Sequence, residues 1–110
     1  DEDEEVEQFM MWIKGRIQRY PINTHEEFFA EEASASLWIT EATLQGYMES
    51  SGVSRDKLYA ALHKSHCLAD NPCDYYEEGN TRLSLIKLRS LPFSFSLSQP
   101  YLGTISEGKS

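Results

Sequence analysis

The stretch from Ile39 to Leu68 constrains this chain more than any other, because two short amphipathic helical patterns meet there across one glycine. Thr40 is placed to cap the first, in which Leu44, Tyr47 and Met48 recur at helical spacing. Gly52 suits the left-handed conformation that ends a helix, and Val53 plugs the elbow. Ser54 is placed to cap a second helix running to about His66. Its inward stripe is Leu58, Ala61, Leu62 and Ser65, while Arg55, Asp56, Tyr59, His63 and Lys64 point outward. With 110 residues and 40% hydrophobic content there is room for one core, so the rest of the chain must pack around this elbow.

Upstream, Val6, Phe9, Met10, Ile13, Ile17 and Tyr20 repeat at three and four, which predicts a helix from Glu4 to Tyr20 that Pro21 ends. Met11 and Trp12 fall beside that stripe, either as an adhesive patch or as the edge of a wide apolar face covered by the domain. Thr24, His25, Glu26 and Glu27 fit a capping box and predict a short helix through Phe28 and Phe29 to about Ala33. The leading acidic run reads as a linker end or as a first helical turn favoured by the helix dipole.

Ser36 to Thr40 is a brief β-prone run. Beyond the elbow, Asp70, Asn71 and Pro72 predict a turn, Cys73 to Glu77 an extended segment, Glu78 to Asn80 a reversal, and Thr81 to Leu88 the best strand in the chain. Leu83 and Leu85 should face in, with Arg82, Ser84 and Lys87 toward solvent. Ile86 and Leu88 break that alternation. Phe93, Phe95 and Leu97 alternate with serines, a pattern that suits a strand added to a sheet edge or an arm laid over its own core. The resulting division is an acidic linker end at 1–5, a domain at 6–91, an extended arm or extra strand at 92–101 and a disordered tail at 102–110.

Leu44, Gly52, Val53, Leu58 and Ala61 match the buried positions favoured by helix-turn-helix motifs, while Met48 and Ser51 depart from them. A strand before that motif and a hairpin after it give an order that resembles the winged-helix domains. The fold expected is therefore mainly α with a small β-hairpin or sheet, a winged helix-turn-helix with an extra N-terminal helix. The resemblance implies that the 54–66 helix is the recognition helix and the 76–82 hairpin the wing. In DNA-binding members that helix enters the major groove and the wing touches backbone or minor groove.

Charge is segregated along the chain despite a net −8. Residues 1–34 hold ten acids against three bases; 53–66 hold Arg55, Lys57 and Lys64 against Asp56 alone, and 81–92 hold Arg82, Lys87 and Arg89 with no acid. The leading expectation is thus a non-enzymatic module of a larger nuclear protein that binds duplex DNA or chromatin. Arg55, Lys57, Tyr59, His63, Lys64, Arg82 and Lys87 are its candidate contacts, although Asp74, Glu77 and Glu78 place acid near the wing tip. The alternative is protein docking within a replication, transcription or other multi-subunit assembly, through Met11, Trp12, Tyr75, Tyr76, Phe93 and Phe95.

Other chemistries find little footing. His63, His66, Cys67 and Cys73 have zinc-ligand types, yet their spacing fits no standard paired-ligand pattern. No glycine-rich phosphate loop or catalytic constellation stands out, so neither a cofactor nor catalysis is expected. Two cysteines and the lack of a glycosylation acceptor suit a reducing intracellular setting, with no membrane partner. A start at Asp1 without methionine reads as a piece of a larger protein.

Overall fold

The computed structural model describes residues 1–33 and 36–108. Three helices, α1 (Glu2–Arg19), α2 (Glu41–Ser51) and α3 (Arg55–Lys64), pack on one sheet built from β1 (Phe28–Phe29), β2 (Leu37–Thr40), β3 (Leu68–Glu78), β4 (Thr81–Leu88) and β5 (Thr104–Glu107). The strands run antiparallel in the order β1-β2-β4-β3-β5. The expectation of a mainly helical fold is therefore corrected to a mixed α/β one. The reason is that both faces of the sheet are apolar, so more of the chain is committed to strands than a helical core with one small hairpin needs.

The elbow forms as its residues dictate. The Thr40 hydroxyl accepts from the Thr43 N–H, and Gly52 closes α2 at φ 78°. The Ser54 hydroxyl accepts from the Lys57 N–H to open α3. Helix α1 begins earlier than its apolar stripe: Asp1 caps it, and Glu2 to Glu5 make an acidic first turn in place of a linker end. Phe9, Met10 and Ile13 reach the main core, where they meet Leu37, Ile39, Leu44, Leu58, Leu62, Ile86 and Leu88.

The predicted short helix after Thr24 is replaced by a loop and β1. Asn23 takes a left-handed φ of 67°, its amide donates to the Ala30 carbonyl at 2.9 Å and its carbonyl oxygen accepts from the Ala30 N–H at 3.1 Å. That buried side chain acts as a surrogate backbone and closes the loop. It also delivers Phe28 and Phe29 to opposite sides of the sheet, Phe28 to the main core and Phe29 to a second cluster with Trp38, Tyr76 and Leu85. Alternation of that kind belongs to a strand, whose successive side chains point to opposite faces, whereas in a helix they are only about 100° apart.

The same two-sidedness explains β4. Ile86 and Leu88 face the helices, and Leu83 and Leu85 face the second cluster, so Leu83 and Leu85 do not enter the main core. The turn expected at Asp70–Pro72 is overtaken by β3, whose register with β4 shifts between Leu68 and Cys73. Such an irregularity lets a strand accommodate a proline.

The C-terminal segment is ordered structure in place of the expected disordered tail. Leu91, Phe93, Phe95 and Leu97 are half-buried against the main core while Ser94, Ser96 and Ser98 face solvent. The chain then crosses to the far face of the sheet, where Tyr101 and Ile105 join the second cluster and β5 pairs with β3. Lys109 and Ser110, the last of the tail, lie outside the described residues.

Candidate interaction surfaces

Helix α3 exposes Arg55, Asp56, His63 and Lys64 as the outward pattern expects, with Tyr59 half-buried. With Leu58, Ala61 and Leu62 buried, the outermost line is Asp56, Ala60 and His63, spaced four and three apart and all exposed. The cations lie on the two flanks, where they meet acids of the same chain. Lys57 pairs with Glu5 of α1 at 3.2 Å and Lys64 approaches Glu2 at 3.8 Å. On the other flank Arg55 bonds the Glu41 carboxylate at 3.2 Å and the Tyr59 hydroxyl at 3.1 Å. Burial pushes the Tyr59 phenol up, with Arg55 pulling against it.

The remaining expected DNA contacts are occupied in similar ways. Arg82 lies over the Tyr75 ring at 4.1 Å, on the helical face near the β3–β4 turn. Lys87 lies over Trp38 at 5.1 Å, and because Trp38 belongs to the second cluster, this cation is on the sheet face away from α3. The seven residues thus do not converge on one surface.

Most of the expected adhesive residues make contacts within the chain. Trp12 packs on Tyr47 with ring centroids 5.1 Å apart, and Arg16 lies 5.6 Å over it while forking onto Glu27. Tyr76 is buried, stacks on Phe29 at 4.2 Å and donates to Glu78. Tyr75 is half-buried beneath Arg82, and Phe93 and Phe95 pack on the main core. Met11 is the exception, 66% exposed.

Met11 borders a groove that sequence reasoning missed. One wall is the α1 edge carrying Asp3, Glu7, Lys14 and Gln18; the other is the 92–98 arm. An upper chamber of about 390 Å³ is floored by Val6, Met10 and Phe93, and a lower one of about 470 Å³ by Ile17, Ile22, Phe95 and Leu97. They meet at Lys14 and Phe93, giving a trough about 22 Å long at the helical rise of about 1.5 Å per residue. Asp3, Glu7 and Lys14 make no ion pair among the described residues. The periodicity of α1 held a signal for this edge, since Asp3, Glu7, Met11, Lys14 and Gln18 recur at four and three, but only the arm makes it a groove.

The zinc-type residues are not assembled. His63, His66 and Cys73 are exposed and Cys67 is buried, with its thiol pushed up by burial. Among the described residues no three histidine, cysteine or acidic side chains converge as a metal site would require. No helix among them is long and apolar enough to cross a membrane. No protein-family model, curated protein or solved structure matches this chain.

Proposed function

We propose that this domain is a non-enzymatic protein-docking module of a larger assembly, and that it docks through the groove between α1 and the C-terminal arm. The observation that supports the reading is the contrast in engagement. The basic residues that a DNA module needs are paired within the chain or scattered over two sheet faces, whereas the α1–arm groove combines apolar walls with charges that make no ion pair among the described residues. Releasing Lys57 and Lys64 to phosphates would leave Glu2 and Glu5 facing the same polyanion, which opposes binding. Kinship with the winged helices remains part of this proposal, supported by the run β2, α2, α3, β3, β4 within the order α1, β1, β2, α2, α3, β3, β4, β5.

The test places a photo-crosslinking residue at position 11 or at position 60 and irradiates the chain in an extract of the source cells. One protein crosslinked from position 11, absent from position 60 and lost on Glu7→Lys, is the expected result. In parallel, a mixed-sequence duplex is titrated by fluorescence anisotropy against the chain and its R55E/K57E/K64E variant. Saturable, salt-sensitive duplex binding that the triple variant loses would return the assignment to DNA and overturn docking.

A further inference from the structure

The groove is asymmetric in charge, and the asymmetry specifies an occupant. Glu2 and Glu5 point toward α3 and meet Lys64 and Lys57. Asp3 and Glu7, one turn apart on the opposite edge, border the upper chamber and make no ion pair among the described residues, with Lys14 at the chamber's lower end. Lys14 stands two turns below Glu7 at the junction, and the lower chamber is bordered by Gln18, Ser94, Ser96 and Ser98. Acidic side chains are therefore confined to one end of an apolar trough. Met11, exposed at that same end, is a flexible and polarizable side chain that adapts to varied apolar surfaces.

Backbone chemistry narrows the occupant further. The α1 wall has its amides and carbonyls bonded within the helix, so on that side the groove offers a partner side chains only. A helix brings its own backbone bonds and needs only side chains to fill an apolar trough. Resting on the docking reading above, we infer that the groove takes an amphipathic helix of a partner protein, with an apolar stripe along its length and a Lys/Arg cluster at one end only. The cluster sits over Asp3 and Glu7, and the uncharged end lies beyond Lys14. A helix with bases along its whole length meets Lys14 and is disfavoured.

Two synthetic 18-residue helical peptides test this. They share one leucine and phenylalanine stripe and differ at one end, three arginines in the first and three glutamates in the second. Their binding to the whole 110-residue chain is read by fluorescence anisotropy at low and physiological salt, and located by amide chemical shifts. The basic-ended peptide is expected to bind at least tenfold more tightly than the acidic-ended one and to shift residues 3–18 and 93–98. Met11→Glu is expected to weaken it tenfold or more, although the substitution adds negative charge. That point separates seating in the groove from bulk attraction to a chain of net charge −8. Glu7→Lys should weaken the basic-ended peptide and strengthen the acidic-ended one.

Equal binding of the basic-ended peptide by wild type and Met11→Glu would overturn the inference. Preferential seating of the acidic-ended peptide in the same residues would overturn the basic-ended class and leave docking in place. Failure of both peptides to perturb the groove would overturn the inference, and a missing crosslink from position 11 as well would remove docking too. Met11 is 66% exposed, so its replacement leaves the fold intact, which a thermal melt verifies.

Discussion

The two edges of α1 face neighbours of opposite character. Toward α2, α3 and the loop before β1, Glu5, Trp12 and Arg16 are engaged by Lys57, Tyr47 and Glu27. Toward the arm, Asp3, Glu7, Met11 and Lys14 border an open trough. Both edges derive from one periodic helix, and Met11 and Trp12 are sequence neighbours. Edge composition alone did not distinguish adhesive from structural residues; the distinction arose from which edge found partners already in place. A half-buried aromatic that fills a gap is a structural residue, while an exposed methionine beside an unfilled gap is left available for a partner.

Trp12→Ala challenges this contrast most severely. It should cost about 3 kcal/mol, near the low end for aromatic truncation because the ring is half-buried. A urea unfolding curve checks it, and a change below about 0.5 kcal/mol, the ordinary surface range, would show that edge to be as free as the other.

Next in size is Gly103→Ala, which probes the far anchor of the arm. A Cβ at Gly103 would collide with the Glu77 carbonyl and the Tyr76 ring, whose hydroxyl accepts from the Gly103 N–H at 3.0 Å. The expected loss is about 2 kcal/mol, typical of overpacking, with faster amide exchange in 104–107 and then in the arm. Unchanged exchange there would mean that the arm stays in place without β5.

Alkaline titration tests the packed interior as a whole more gently. Burial raises the phenols of Tyr47, Tyr59 and Tyr76 and the thiol of Cys67 above their ordinary values. The unfolded chain therefore loses these protons first. Their contribution is complete below the ordinary thiol range, about pH 8.5, and is lost as pH rises from the ordinary thiol and phenol ranges through the raised values of the folded chain. Melting temperature should fall across that window, and a flat profile would contradict the burial of these groups.

Met11→Ala should change stability least, within about 0.5 kcal/mol by the same urea measurement. A larger loss would make Met11 a packing residue and close the groove as a docking surface.

Much of the helical framework is legible in the sequence. Thr40, Gly52 and Ser54 act through hydrogen bonds and dihedrals within a few residues, so their roles can be read in place. The α1 stripe is legible for the same reason. The Phe28–Phe29 strand is not, because its order depends on Asn23 bonding Ala30 seven residues away and on pairing with Ile39 and Trp38. Strand β5 is hidden more deeply: its sequence is short and polar, and the close approach of Gly103 and Gly108 to β3 across some thirty positions makes it possible. The basic face of α3 is legible as composition and misleading as surface, since Glu2 and Glu5 reach it only through the packing of α1.

Local chemistry, then, sets where helices begin and end, which of their faces are apolar, and that charge is segregated along the chain. Tertiary packing selects which charges are cancelled, which aromatics are buried, and that one edge of α1 lies open beside the arm. The difference is one of range. Caps and periodicity act over one or two helical turns, whereas ion pairing, burial and groove formation depend on segments up to ninety residues apart being brought together by a core they share.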